Sequence, residues 1–250
     1  MTMQGEMGYP SALTAKTWGF YDVLFKGKAF EFQRPYGSYV MEQVLFKISF
    51  PAEFHAQTAV ECALQLNQEV GDKLQTLDQI AQIDKIVMTT HESAIRIIDK
   101  TGPLDNPADR DHCLQYMSAT GLLKGNLTAL DYEDASAADP RIDAIREKMT
   151  CVEKAEYTAD YLNPEKRSIA NAIQIFFTDG TSSSLVAVEY PIGHRRRRDE
   201  GIPELVKKFK TNLARRFNER TQKDVLALCL DQKQLEATPV QQFTDMLSVN

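Results

Sequence analysis

An apolar run that stops at a proline and passes directly into a helical pattern constrains the fold of this chain most. Residues 44–50 (VLFKISF) have the length and apolar content of a buried or half-buried strand, and Pro51 ends the run. Apolar side chains then recur over residues 56–70 with the 3.6-residue period of an amphipathic helix. The sequence therefore predicts a strand joined closely to the amino end of a helix.

Further runs extend this alternation along the chain. Strand-length runs lie at 84–90, 169–177 and 185–190. The last two bracket an Asp-Gly turn at 178–181, which favours a hairpin. Helical spacing predicts helices at 110–123, 141–149, 202–217 and 225–230. Together these elements predict an α+β unit with mostly antiparallel strand pairing, followed by a helical tail that needs a partner surface.

The opening of the chain is rich in aromatic residues and is expected to include a short apolar helix or turn around residues 11–24. Eight aromatic side chains fall within residues 1–36: Tyr9, Trp18, Phe20, Tyr21, Phe25, Phe30, Phe32 and Tyr36. We expect so many large apolar groups in a short segment to pack against something, such as another chain or sequence outside this one.

Composition excludes several classes of protein. The 250 residues are 43% hydrophobic and 26% charged, as in an ordinary soluble protein. A net charge of −6 argues against non-specific nucleic-acid binding, and no apolar run is long enough to predict a membrane span. The four cysteines are scattered without a C-x-x-C pair, so a zinc or iron–sulfur site is not predicted. We expect a cytoplasmic protein with reduced thiols.

The junction between the first predicted strand and helix carries groups that could do chemistry, namely Lys47, Glu53 and His55. Free backbone N–H groups at a helix start disfavour an imidazolium, so we expect His55 to be neutral there. A neutral imidazole can accept a proton or orient a hydroxyl group. The alternative is that His55 merely caps the helix or packs beneath the strand, and spacing alone favours this alternative.

A second group of polar residues lies on the predicted helix at 110–123. Arg110, His112 and Tyr116 would share this helix, and positions 112 and 116 would share a face. A polar helix face of this kind is usually only solvated. His91 has no convincing partner in the sequence and is expected at the surface.

The strongest charge run is His194 followed by four arginines at 195–198. Such a run could hold carboxylates through paired hydrogen bonds. The acidic residues at 199 and 200 partly neutralise it, so an exposed segment or a contact between subunits is the favoured interpretation.

Five runs of the sequence resemble a known family closely: GEMGYPSALTA (5–15), RPYGSYVMEQVLFKISFPAEFHAQTAVE (34–61), IRIIDKTGPLDNPADRDHCLQYM (95–117), NPEKRSIANAI (163–173) and VEYPIGHRRRRDEGIP (188–203). They are similar to bacterial members of the MmgE/PrpD family, and the resemblance extends over essentially the whole chain. The runs are long and idiosyncratic, so chance similarity is not a serious rival.

The resemblance implies an architecture. Family members are about twice as long as this chain and have a large all-helical domain and a smaller α+β lid domain, with the active site between them. The chain would be the carboxyl-terminal half. Residues 1–35 would end the first segment of the helical domain, 36–190 would form a lid with a small antiparallel sheet and packed helices, and 191–250 would return to the helical domain, whose larger part is missing.

The resemblance also implies an activity. It is the hydro-lyase reaction that removes water from 2-methylcitrate to give 2-methyl-cis-aconitate in the methylcitrate cycle of propionate breakdown, with no metal or other cofactor. The family's active-site histidine, in its strand–Pro–x–x–x–His–helix segment, falls on His55, which becomes the catalytic candidate. Lys47 occupies the preceding lysine position and is the first candidate for substrate binding, followed by Arg110, Tyr116 and His194.

The resemblance further implies that the chain acts with partners. A small tricarboxylate would be the substrate, and other catalytic groups of the family lie in an N-terminal helical half, either missing here or encoded separately as one subunit of a split enzyme. A homodimer is also expected. The alternative from another class is a non-catalytic carboxylate-binding or interaction module that kept the lid fold.

Overall fold

The computed structural model describes residues 2–28, 30–32 and 47–248. The chain divides into two compact units, Met1–Gln43 and Val44–Asn250. The predicted strand at 44–50 is not seen where it can be checked, because residues 47–50 form an irregular segment and 44–46 lie outside the described residues.

The first unit contains little regular structure. A single 3₁₀ turn covers Thr2–Gln4, turns follow at 10–18, and helix α1 spans Phe20–Phe25. The expectation of a short helix or turn is therefore confirmed. Four ring contacts link five aromatic side chains, with centroids 5.0 to 5.9 Å apart, between Phe20 and Phe32. Trp18 nevertheless stays 85% exposed, and Tyr36 lies outside the described residues.

A four-stranded mixed sheet forms the centre of the second unit. Its strands are β1 (Ile83–Thr90), β2 (Met149–Glu153), β3 (Asn171–Phe177) and β4 (Val186–Val188), in the spatial order β2-β1-β3-β4. β3 pairs antiparallel with both β1 and β4, whereas β1 and β2 are parallel. The prediction of an α+β fold with mostly antiparallel pairing is thus confirmed, although β2 and its parallel register were not foreseen.

Helices and short turns connect and cover these strands. The helices are α2 (Gln57–Val70), α3 (Leu77–Ala81), α4 (Glu92–Ile98), α5 (Pro107–Arg110), α6 (Leu114–Lys124), α7 (Asp134–Ala137), α8 (Pro140–Arg146) and α9 (Ala155–Leu162). Single 3₁₀ turns cover Phe54–Ala56, Gly71–Lys73 and Ala129–Tyr132.

The core lies between α2, α6 and the sheet. Leu66 of α2 is fully buried, and α2 packs against α6 on one side and against β3 and β4 on the other. The helices approach closely because Gly121 of α6 has no side chain: a Cβ there would lie 3.1 Å from the Cβ of Ala63. In β1, buried Ile86 and Met88 alternate with half-buried neighbours, so the strand turns one face to this core.

Two helices differ from their predicted bounds: one is interrupted, and the other ends early. The helix expected at 110–123 is interrupted, because α5 ends at Arg110 and α6 starts only after Cys113, whose Sγ accepts the backbone N–H of Tyr116. His112 and Tyr116 therefore do not share a helix face, and that prediction was wrong. The helix expected at 141–149 ends at Arg146, since Met149 already belongs to β2.

The described part of the chain after residue 194 is helical, as predicted. A 3₁₀ turn at Arg195–Arg197 leads into α10 (Arg198–Ala214), followed by α11 (Glu219–Leu230), α12 (Gln232–Ala237) and α13 (Val240–Met246). Gly201 allows the first turn of α10 to pass tightly over the preceding segment, because a Cβ there would lie 2.5 Å from the carbonyl oxygen of Ile192. Within the described ranges, no helix combines the length and apolarity needed to cross a membrane.

The close packing of α2 leads to a stability prediction. Leu66→Ala should lower the free energy of unfolding by about 2–5 kcal/mol, because it leaves a cavity in a fully buried position. Leu77→Ala is the matched control, since Leu77 is 49% exposed and its truncation should cost far less. Urea denaturation of the two variants measures both changes, and equal losses would contradict the placement of the core.

Candidate functional site

The candidate site lies at one edge of the sheet. β1 and β2 run parallel and both end there, with Thr90 paired to Glu153. β3 runs the other way and begins at the same edge, where Ala172 pairs with Thr89. Three chain segments that are distant in sequence therefore meet the amino end of α2 at this point.

Backbone hydrogen bonds fix the position of His55 just before α2. One carboxylate oxygen of Glu53 accepts the backbone N–H of His55 at 2.7 Å, which caps the 3₁₀ turn. The side-chain amide of Asn171, at the start of β3, donates to the His55 carbonyl at 2.9 Å and to the hydroxyl of Thr58 at 2.7 Å. That hydroxyl donates in turn to the carbonyl of Ile169.

The side chain of His55 is buried between an acid and a phenol. The Glu53 carboxylate lies 3.0 and 3.1 Å from Nδ1, and the Tyr161 hydroxyl of α9 lies 3.1 Å from Nε2. Burial alone would raise the pKa of Glu53, but the hydrogen bonds and charge of His55 outweigh it and lower that pKa overall. An ionised carboxylate has no proton to donate, so Nδ1 carries the hydrogen of this contact, and Nε2 lies within hydrogen-bond distance of the Tyr161 hydroxyl.

His91 completes this group of side chains. It directly follows β1 and caps α4, with Nδ1 accepting the backbone N–H of Ala94 at 3.1 Å. Its ring stacks on Tyr161 with centroids 4.5 Å and planes 18° apart, and lies 5.3 Å from the His55 ring. His91 is fully buried, so the prediction that it lies at the surface was wrong.

The environment of His91 keeps its imidazole neutral. Burial, and secondly the charge of His55, lower the pKa of His91 to about 4, against a smaller opposing effect of Glu53. Since Nδ1 of the neutral ring is an acceptor, Nε2 must carry the hydrogen. Among the residues that the structure describes, this buried Nε2 has no hydrogen-bond partner. We define Glu53, His55, His91 and Tyr161 as the His55 cluster.

Lys47 is not part of this cluster in the described contacts. Its side chain is exposed, and its backbone carbonyl accepts a hydrogen bond from the Lys208 ammonium group of α10. Lys47 and His55 are close in sequence, but within the described residues no contact between them is seen. A role for Lys47 in substrate binding stays a prediction.

Arg110 and Tyr116 are brought together, but in a different place. Both line a cavity of about 210 Å³ that shares no residue with the His55 cluster. The Arg110 guanidinium is buried and donates to the Tyr132 carbonyl and to the Asp134 carboxylate, each at 2.7 Å. The Tyr116 hydroxyl donates to the Asp131 carbonyl at 2.6 Å, and burial raises the pKa of Tyr116 to about 12.

His194 and the arginine run hold the start of the helical tail. His194 is buried, and its Nδ1 accepts the backbone N–H of Arg196 at 3.2 Å. Burial, and then the neighbouring arginine charges, lower the pKa of His194 to about 4. Arg195 and Arg196 are exposed as expected, whereas Arg197 binds Glu61 of α2 at 2.8 Å and Glu200 at 3.0 Å. Part of the run therefore forms ion pairs within the chain.

A cavity of about 470 Å³ is lined by Lys100, Gln115 and Arg146 among others, and it includes no member of the His55 cluster. Within the described part of the chain, no group of three or more histidine, cysteine or acidic side chains is arranged to hold a metal ion.

Sequence reasoning named His55 and Glu53 but missed Tyr161 and His91. Their proximity depends on the parallel pairing of β1 and β2, which places the starts of α4 and α9 side by side. One local signal was present for His91: a histidine between a predicted strand and an acidic residue can cap a helix. No comparable signal marked Tyr161.

Chemically, a proton can pass along the hydrogen-bonded path from Glu53 through His55 to Tyr161. A carboxylate orients one imidazole nitrogen, and the other nitrogen meets a hydroxyl group. This is the geometry in which a histidine acts as a general base or acid.

Comparisons with known proteins agree on a family. A model of the MmgE/PrpD C-terminal domain matches residues 50–232. The chain is 61% identical over 246 residues to a protein of Salmonella typhimurium named 2-methylcitrate dehydratase, covering 98% of this chain and 50% of that protein. An Escherichia coli K12 protein of the same name is 62% identical over the same shares. A mitochondrial 2-methylcitrate dehydratase of Yarrowia lipolytica is 59% identical over 227 residues, 91% of this chain and 43% of that protein.

The neutral, buried state of His91 predicts a pH dependence of stability. Between its ordinary pKa of about 6.5 and its folded value of about 4, the unfolded chain binds a proton that the folded chain does not. The contribution of neutral His91 to the free energy of unfolding is therefore fully present above about pH 6.5, and it is lost as pH falls towards about 4. His91→Asn keeps a capping acceptor but removes the titration, so its free energy of unfolding should fall less steeply over this interval.

Urea denaturation at about pH 7, 6 and 5 measures this slope. His112→Asn is the control, because it replaces an exposed histidine that neither caps a helix nor stacks on Tyr161, and it should flatten the slope less than His91→Asn does. His194 titrates in the same direction and is retained in both variants, so the flattening should be partial. Parallel curves for the chain and His91→Asn would show that His91 is not buried in its neutral form.

Proposed function

The chain belongs to the MmgE/PrpD family, and we propose that it forms the C-terminal part of a hydro-lyase that removes water from 2-methylcitrate to give 2-methyl-cis-aconitate. The observation that carries this proposal is the identity of about 60% to proteins named for that reaction, over nearly the whole chain. The His55 cluster supports it, because this cluster lies within the matched domain and has the geometry of a proton-transfer site.

The reaction requires proton transfer at two points. The C–H bond beside a carboxylate breaks and its electron pair forms the double bond, while the hydroxyl on the next carbon departs and leaves as water. We assign His55 as the proton-transfer residue, oriented by the Glu53 carboxylate. Lys47, Arg110, Tyr116 and His194 are proposed to contribute to substrate binding, although the described contacts place them outside the His55 cluster.

We propose that the reaction needs no metal. An iron–sulfur cluster is held mainly by cysteine thiolates, whereas burial raises the pKa of Cys62 to about 12 and also raises the pKa of Cys151. At these two positions burial disfavours the thiolate form that such a cluster uses.

The chain spans about half the length of the curated relatives it matches. We propose that the rest of the catalytic site comes from the other half of such a protein, whether in the same polypeptide or in a separate subunit. In this arrangement 36–190 form the lid, while 1–35 and 191–250 belong to the helical domain. The expectation of a cytoplasmic homodimer stays a prediction.

The dependence on a second half can be tested directly. The chain alone should show negligible turnover of 2-methylcitrate, followed by absorbance of the unsaturated product. A fusion in which this chain replaces the matching half of the E. coli relative should restore turnover, because it supplies the missing groups. Robust turnover by the chain alone would contradict incompleteness, and failure to co-purify with a separately expressed half would count against the two-subunit form.

His55 is tested in that fusion enzyme. His55→Ala should lower kcat by about 10²–10⁴-fold, the usual contribution of a positioned acid or base. His112→Ala is the control, since His112 is an exposed histidine outside the cluster. An unfolding midpoint close to that of the parent fusion separates chemistry from misfolding. A fall in substrate affinity without loss of kcat would instead favour a carboxylate-binding role.

A further inference from the structure

The two ring nitrogens of His55 are both occupied by groups of the chain itself. Nδ1 faces the Glu53 carboxylate, Nε2 faces the Tyr161 hydroxyl, and the ring is buried. A substrate can therefore not reach a free nitrogen of His55 in this arrangement. The next group outward along the hydrogen-bonded path is the hydroxyl of Tyr161, whose side chain is half-buried.

We propose that the Tyr161 hydroxyl oxygen is the atom that exchanges a proton with the substrate, and that His55 and Glu53 act behind it. This inference rests on the proposed dehydration and assigns its proton-transfer path. The order acid–imidazole–hydroxyl matches that of a hydroxyl group activated by a histidine that a carboxylate orients.

The proton transfers balance without any further reactant. Tyr161 passes its own proton to Nε2 of His55 as its oxygen takes the proton of the substrate C–H bond, whose electron pair forms the carbon–carbon double bond. The resulting imidazolium is stabilised by the Glu53 carboxylate. The C–O bond breaks with its electrons on the departing hydroxide, and the imidazolium proton returns through Tyr161 to that hydroxide. The products are the unsaturated acid and water, and the cluster is restored.

His91 acts as a positioning residue for Tyr161. Its ring lies flat against the phenol, and its backbone position is fixed by capping α4. Because the His91 imidazole stays neutral, it places no second positive charge beside His55 when His55 becomes an imidazolium. Stacking therefore holds the phenol in place without opposing the charge that develops.

The decisive variant is Tyr161→Phe in the fusion enzyme, because it keeps the stacked ring and removes only the hydroxyl. We expect kcat to fall by about 10²-fold or more with KM little changed. Tyr157→Phe is the matched control: Tyr157 lies one turn earlier on α9, where Lys154 covers its ring at 4.6 Å, and its hydroxyl is not in the cluster.

The outcomes separate this inference from the proposed function. If Tyr161→Phe keeps kcat within a few-fold of the parent while His55→Ala abolishes turnover, the substrate displaces Tyr161 and meets His55 directly, which overturns the inference alone. If His55→Ala is also fully active, the proposed function of the cluster fails.

A double-mutant cycle tests the positioning role of His91. His91→Asn should lower kcat when Tyr161 is present and should add little to Tyr161→Phe, because the stacking then has no hydroxyl to position. Additive losses in kcat would show that His91 supports the fold only, and would overturn its positioning role.

Discussion

The parallel pairing of β1 with β2 is the constraint on which the rest of the site depends. Parallel strands end at the same edge of a sheet and need a long crossover between them, here the segment containing α4 to α8. Two helices therefore start side by side, one capped by His91 and the other carrying Tyr161. The antiparallel β3 begins at the same edge, so Asn171 can anchor the turn that presents His55.

The two histidines at this edge of the sheet differ in the hydrogen bonding of their ring nitrogens. His55 satisfies both ring nitrogens, and the surrounding backbone is fixed by Asn171 and Thr58. His91 satisfies only one nitrogen, and leaving a buried donor unpaired costs about 1–3 kcal/mol. The fold bears this cost where the neutral His91 ring stacks on Tyr161. Unpaired buried groups are uncommon in native structures, and each calls for an explanation.

Several parts of the fold that follow a local period were predictable from sequence, whereas the pairing of β2 with the distant β1 was not. α2, β1 and the hairpin of β3 and β4 follow apolar spacing and an Asp-Gly turn. β2 (MTCVE) is short and mixes polar with apolar residues, so no apolar or alternating run predicts it. Without β2 the neighbours of His55 could not be placed, and the sequence indicated the junction only through Lys47, Glu53 and His55. Family resemblance added weight to His55 but said nothing of Tyr161.

The charges of the His55 cluster bear on the proposal that a tricarboxylate is bound together with groups from a second half. The cluster contains the ionised Glu53 carboxylate and the neutral His91 imidazole, and it includes no lysine or arginine. Bringing a further carboxylate close to Glu53 is unfavourable in a partly buried site unless cations compensate. Arg110 and Arg197 are already paired with carboxylates of the chain, and His194 is neutral. Under the proposed function, compensating positive charge comes from groups outside the His55 cluster.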